Sequence, residues 1–195
     1  MAQVSVQGPA LGLLECDSIA AGVVAGDAMV TNAPVRSITA GTVQPGHYLI
    51  MVDGDPQSVE LAMQRGISVA GVRLIDSLYL ALVDPRVPER LVSGASNEAT
   101  DAVGVLETGS ASSAIRAADA GCKGADVSIL GLRVCDGLGG RGLVVFGGHQ
   151  RDVEAALDLA TSVAATSTDL VQSTVVPRIH PEMAATLTGD LRFGA

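Results

Sequence analysis

The chain has 195 residues and a mass of 19.6 kDa, room for one or two domains at about 150 residues each. Charged residues are only 17% and aromatic residues 2%, below the usual ~25% charged, so much of the nominal surface is expected to be covered by other protein. The net charge of −9, from 12 Lys+Arg and 21 Asp+Glu, speaks against nucleic acid, whose phosphates need clustered cations.

Met1 to Gly8 has neither the basic nor the apolar region of a secretory leader, so none is expected. Ala10 to Cys16 is a short apolar run that suits a strand. Ser18 can cap a helix over Ile19 to Asn32, with Ile19, Val23, Ala28 and Val30 near helical spacing. Val35 to Val43 alternates and reads as a strand, Gln44-Pro45-Gly46 as a tight turn with Pro and Gly at its centre, and His47 to Val52 as the returning strand. Asp53-Gly54-Asp55 leads into a helix near Pro56 to Ala70, with proline in its first turn. Arg73 to Leu82 is a further strand, and Asp84-Pro85 opens a short helix. Ser93-Gly94-Ala95-Ser96-Asn97-Glu98 is a small, polar linker. Beyond it the order recurs: strand near 102–107, helix near 110–123, strands near 127–135 and 142–146, helix near 150–165, strand near 170–176, and a helix from His180. No run approaches eighteen uninterrupted apolar residues, so no bilayer span and no membrane partner are expected.

The recurrence is also one of residues. Ala10-Leu11-Gly12-Leu13-Leu14-Glu15 returns as Ala102-Val103-Gly104-Val105-Leu106-Glu107, a shift of 92. Ser18 then pairs with Ser110, Asp27 with Asp119, Ala33 with Ala125 and Val35 with Val127. An insertion of two residues near Asp136 to Leu138 moves the shift to 94, pairing Gly54 with Gly148 and Val59-Glu60 with Val153-Glu154. A further step pairs Asp84-Pro85 with His180-Pro181. The expected domains are 9–93 and 101–190, joined by a linker over 94–100. Each has the order β-α-β-β-α-β, so the fold class is α+β: two tandem ferredoxin-like units, antiparallel sheets with both main helices on one face. The other face of each sheet needs a cover, most simply more copies of the chain.

Few motifs carry chemistry. Gly137-Leu138-Gly139-Gly140-Arg141-Gly142 satisfies GxGxxG, but a β-run follows where dinucleotide binding needs a helix. It reads instead as a glycine-rich hairpin loop, the counterpart of Gln44-Pro45-Gly46, and two such loops suit a place where copies converge. Cys16, Cys122 and Cys135 form no CxxC pair, which supports neither a disulfide framework nor a zinc site. His47, His149 and His180 lack paired-ligand spacing, and the last two stand near helix starts. Ser110-Ala111-Ser112-Ser113 reads as a helix N-terminus. Glu15 and Glu107 occupy one position in two repeats, which favours a shared structural hydrogen bond over acid/base work. Asp27 and Asp119 suit a solvated helix face or an interface salt bridge. Lys123 is a helix-end cation or an edge residue packing on a neighbouring subunit. No catalytic constellation emerges, and no enzyme is expected.

Pro9-Ala10-Leu11-Gly12-Leu13-Leu14-Glu15, Ser18-Ile19-Ala20 and Gly26-Asp27-Ala28-Met29-Val30 resemble the opening of a bacterial microcompartment (BMC) shell domain. Ala118-Asp119-Ala120 through Lys123 repeats the pattern, and Val175-Val176-Pro177-Arg178-Ile179-His180-Pro181 resembles the family's closing Pro-Arg-x-His element. The resemblance spans nearly the whole chain and is to the tandem, unpermuted, trimeric type. It implies a cytoplasmic bacterial shell tile: a homotrimer mimicking a hexagon, joined edge to edge with other shell proteins. The hairpin loops would line a central pore for small polar metabolites: Gln44, Pro45 and Gly46 from the first half, and Gly137, Leu138, Gly139 and Gly140 from the second. Lys123 and Arg178 fall on the edge-packing lysine and the closing arginine, while the first half has Thr31 and Leu82 there. A similar subgroup has Cys before Pro-Gly and holds an iron–sulfur cluster on the axis. Here the position is Gln44, and an amide does not replace a thiolate ligand, so no cofactor is expected; Cys135, near the second loop, is the thiol left to reach a metal. The alternative readings are a small-molecule-binding regulatory protein built on a doubled ferredoxin-like module, and an enzyme using Glu15 and Glu107 or the glycine loop.

Overall fold

A computed structural model of the chain describes residues 6, 8–93, 96, 100–165, 170–187 and 191. The chain divides into two compact units between Val83 and Asp84. The first holds β1 (Ala10–Cys16), α1 (Ile19–Asn32), β2 (Ser37–Val43), β3 (His47–Gly54), α2 (Pro56–Ala70) and β4 (Leu74–Leu80). The second holds α3 (Arg86–Ser93), β5 (Ala102–Thr108), α4 (Ala111–Gly124), β6 (Ser128–Val134), β7 (Gly142–Gly148), α5 (Gln150–Ala165), β8 (Leu170–Pro177) and α6 (Pro181–Leu187). Apart from Ser96 and Thr100, the expected linker lies outside the described residues.

Both sheets are antiparallel with one strand order, β2-β3-β1-β4 and β6-β7-β5-β8, the ferredoxin-like arrangement. The registers around the central strands match, Ala10 facing Gly54 as Ala102 faces Gly148, while the β6–β7 ladder slips between Ile129 and Gly131 where β2–β3 runs regularly. Even the irregularity repeats, with the ladder to the fourth strand slipping between Glu15 and Cys16 and again between Glu107 and Thr108. The local causes repeat too. Ser18 caps α1 by accepting the Ala21 N–H at 3.4 Å, and Ser110 caps α4 from the Ser113 N–H at 3.1 Å.

Small residues let the helices settle on the sheets. A Cβ at Gly12 would lie 2.7 Å from the Met63 sulfur, and one at Gly121 would lie 2.5 Å from the Phe146 ring. The two cores distribute the same volume differently. In the first unit buried Met29 fills the space over Gly66 and shares one core cluster with Val52. In the second the equivalent positions are Gly121, Ala160 and Phe146, and Phe146 is fully buried.

Two expectations change. Helix α3, read as the close of the first copy, packs on α4 and β6 in the second unit. The far face of the second sheet is covered in part by the chain itself: Ile179, Leu187 and Leu191 pack on Val103, Leu130 and Val145. Among the described residues no helix is long and apolar enough to cross a membrane.

Candidate functional site

The two hairpin loops differ in build. In the first, the Gly46 N–H donates to the Val43 carbonyl at 3.0 Å, so Gln44 and Pro45 hold the central positions. Their peptide bond is cis, which makes this a type VI turn rather than the expected Pro-Gly turn. Gln44, Pro45 and Gly46 are all exposed.

The second loop is longer and closed on itself. Cys135 N–H donates to Arg141 O at 2.8 Å, Leu138 N–H to Cys135 O at 2.9 Å and Arg141 N–H to Leu138 O at 3.2 Å. Gly137, Gly139 and Gly140 have φ of +73°, +62° and +89°, the region where a side chain is strained. This is why the stretch is rich in glycine without being a nucleotide fingerprint. Gly137 and Gly139 are exposed, Leu138 is half-buried and Gly140 buried. The Cys135 thiol is buried and donates to Gly140 O at 3.7 Å. An iron–sulfur cluster does not fit these donors: a carboxamide in one loop and a buried, hydrogen-bonded thiol in the other. Among the described residues no group of three or more His, Cys, Asp or Glu could hold a metal ion.

Glu15 and Glu107 do not share a hydrogen-bonding role, contrary to expectation. Glu15 is fully buried, with its Oε1 2.9 Å from His47 Nδ1. Glu107 is 42% exposed and lies 3.6 Å from Arg141 Nη1. His47 and Arg141 occupy the same repeat position, so one substitution turns a buried Glu–His contact into a looser surface ion pair. His149 ends the loop before α5 and faces Asp101 at 3.2 Å. The His180 Nδ1 accepts the Glu182 N–H at 3.3 Å and so caps α6.

The most densely bonded polar cluster was absent from the sequence reading. At the C-terminal end of α4, Asp119 is buried; it accepts the Asp84 N–H at 2.8 Å and the Lys123 Nζ at 2.6 Å. The Arg86 guanidinium holds Asp84 with two contacts of 2.8 Å, donates to Val127 O at 2.7 Å and also to Cys122 O. A planar fork on carbonyls at a helix C-terminus suits both hydrogen bonding and the dipole. The Arg86 fork holds the Asp84 carboxyl below its ordinary range. Burial pushes the Cys122 thiol up to about 12. Of the expected edge residues, Lys123 keeps 43% of its side chain exposed despite its ion pair, and Thr31 is exposed. Arg178 is exposed in the left-handed region, φ +52°. It lines a cavity of about 400 Å³ with Thr100, Asp101, Gln150 and Ile179.

The BMC domain family matches residues 10–85 and 102–179. A bacterial microcompartment shell protein of Citrobacter freundii, PduT, is 37% identical over 174 residues, 89% of this chain and 95% of its own length. EutK, a shell protein of Salmonella typhimurium, is 39% identical over 61 residues, 31% of this chain and 37% of its own. Among solved structures, a microcompartment protein of Desulfitobacterium hafniense superposes with a TM-score of 0.79 at 30% identity, covering 92% of this chain and 99% of its own.

Proposed function

The chain belongs to the bacterial microcompartment shell proteins, as a structural part of such a shell, and from that premise we propose that three copies close into a pseudohexameric tile. The observation that carries this reading is the repeat itself. Strand order, the register of the inner strands and even the slip beside Glu15 and Glu107 occur twice per chain, so three chains supply six like positions around an axis.

In this reading the exposed tip at Gln44, Pro45 and Gly46 and the loop over Gly137, Leu138, Gly139 and Gly140, exposed at Gly137 and Gly139, meet on the axis and line a pore. Three carboxamides ring the opening with neutral donors and acceptors, which suits small polar molecules over ions. The axis carries no cluster, because neither loop offers an accessible thiolate. Lys123, Arg178 and Thr31 lie on edges that abut other shell proteins. The tile has no catalytic role: the paired carboxylates are each engaged by a basic side chain of their own repeat.

Gln44→Cys tests the convergence. The three native thiols are buried, so mild oxidation should link chains only through position 44. Chain dimers on a non-reducing gel, from a protein whose native mass is three times 19.6 kDa, support the reading. A trimer that forms no such link places the loop off the axis, and a monomer removes the tile.

A further inference from the structure

The two units close their sheets differently. In the first, the Val83 N–H donates to the Pro9 carbonyl at 2.8 Å and Val83 is buried, so the chain leaving β4 is tied to the start of β1. The equivalent residues of the second unit are Ile179 and Asp101, and among the described residues that bond is not made. Arg178 turns into the left-handed region at φ +52°, which Leu82 at the same repeat position does not. Ile179 then packs on Val103, Leu130 and Val145, on the far face of the sheet. Between the start of β5, the start of α5 and the end of β8 lies the cavity of about 400 Å³, lined by Thr100, Asp101, Ala102, Gln150, Arg178 and Ile179.

This lining is more polar than the fold demands. The first unit builds the same seam with Gly8, Pro9, Ala10, Pro56, Leu82 and Val83, none of which can ionise. In the second unit the positions hold a hydroxyl, a carboxylate, an amide and a guanidinium. The hydroxyl is engaged by the backbone: Thr100 Oγ1 donates to Ala102 O at 2.6 Å and accepts the Gly148 N–H at 2.7 Å. Asp101 Oδ2 lies 3.2 Å from His149 Nδ1, and Gln150 Nε2 donates to Glu154 Oε1 at 2.7 Å. Arg178 has no hydrogen-bond or ion-pair partner among the described residues, and it does not bridge to Asp101 although both line the cavity. Opposite charges that share a cavity without meeting leave room for a guest between them. A guanidinium fork takes a carboxylate or phosphate by two parallel hydrogen bonds, while a carboxylate accepts from an ammonium or a hydroxyl. A plain anion would face Asp101, and a plain cation would face Arg178.

We infer that this cavity binds a small amino acid or hydroxy acid, its oxyanion on Arg178 and its ammonium or hydroxyl on Asp101. The volume falls at the small end of the roughly 300–1,000 Å³ of small-molecule sites. The lining lies wholly in the second unit, so the site does not depend on three chains meeting.

Saturation-transfer NMR on the full chain tests this with four probes: serine, lactate, acetate and methylamine. Serine or lactate should bind with a millimolar dissociation constant, as suits so small a guest. Acetate and methylamine each reach only one of the two charges and should bind about tenfold more weakly. Serine ahead of lactate identifies an amino-acid site, and the reverse order a hydroxy-acid site. Arg178→Leu, the residue of the first unit at this position, and Asp101→Asn should each weaken the tighter probe about tenfold. Both side chains are exposed, so the unfolding temperature should not move. On the wild type alone, the bound probe should shift the amide resonances of Ala102 and Ile179. The site is overturned if neither serine nor lactate binds, if acetate binds as tightly as they do, if binding survives both variants, or if the shifts fall elsewhere in the chain. A wild-type monomer that binds serine or lactate in this way would remove the tile and leave the site standing.

Discussion

Replacing Arg86 by Met tests the polar cluster that ties α3 to α4. The stem keeps similar bulk, but Asp84 loses both guanidinium contacts and the Val127 and Cys122 carbonyls lose their donor. Removing one partner of a fully buried pair costs about 3–5 kcal/mol. Here the Arg86 side chain is 36% exposed, so the loss is nearer that of one or two stranded acceptors, about 2–3 kcal/mol. With a urea slope of about 1–3 kcal/mol per molar, the unfolding midpoint falls by about 1 M. Arg86→Lys keeps the charge but not the fork and should lose about half as much. The pH dependence adds a second reading. The Asp84 carboxyl is held below its usual range by Arg86, below about 3.9 in the unfolded chain. Wild type therefore holds this stability above about pH 4 and loses it as pH falls through the lower folded value. The gap between wild type and Arg86→Met is full at neutral pH and narrows in acid by the Asp84 share, leaving the share of the two carbonyls. A midpoint shift worth less than about 0.5 kcal/mol, typical of a surface change, or a gap that does not narrow in acid, refutes the reasoning.

The exchanged core volumes predict a triple-mutant rescue. Gly121→Met drives a side chain into Phe146 and should cost about 3 kcal/mol or more, while Gly121→Met with Phe146→Val and Ala160→Gly, the first unit's own set, should recover to within about 1.5 kcal/mol of wild type by thermal unfolding. The three thiols are buried and Cys122 is pushed up to about 12, so a thiol reagent at pH 8 should react slowly with the native protein and fully in denaturant; a fast native phase contradicts the placement. Lys123→Ala should leave the trimer intact and reduce two-dimensional tiling seen by electron microscopy, with a stability loss of about 1 kcal/mol because Asp119 keeps its bond to the Asp84 N–H; dissolution of the trimer, or unchanged tiling, contradicts the edge assignment.

The elements were legible where their causes are local. Ser18 and Ser110 announce helix starts, Pro56 marks the first turn of α2, and the alternation of 35–43 marks a strand, because each effect acts within a few residues. The repeat was legible because both copies solve one packing problem with one residue pattern. What the sequence hid depends on distance. Glu15 meets His47 across 32 residues, and Arg86 reaches Val127 across 41. Nothing near Glu15 or Arg86 signals either partner. The pairing of Glu15 with Glu107 by position also suggested one shared role, but the role is set by what stands opposite, His47 or Arg141. Likewise Pro45 shifted the first turn by one residue from the expected Pro-Gly centre. Helix α3 was placed with the copy it follows in the chain, since chain order says nothing of which surface buries Val87.

The two copies differ most where they face different neighbours, and the differences have a common direction. Inside the second unit the α4 end is sealed with charge: Arg86, Asp84, Asp119 and Lys123 all engage one another or nearby carbonyls. At the equivalent end of α1 the carboxylate remains as Asp27 but the cations do not, and valines stand exposed. A permanent contact tolerates a buried ionic cluster because folding places every partner at once, and an unpaired member would cost several kcal/mol. A contact made between separate chains forms after folding, when each side must first stand in water. Apolar side chains and a backbone donor leave no orphaned buried charge in the free chain. On the self-assembly reading, Thr31 in place of a lysine leaves no cation at this end of α1 to be stranded when neighbouring chains meet. Restoring the lysine, as Thr31→Lys, should strengthen the contacts between tiles at low salt and make them salt-dependent, whereas tiling unchanged by electron microscopy at low and high salt would show that this end of α1 does not reach a neighbouring tile.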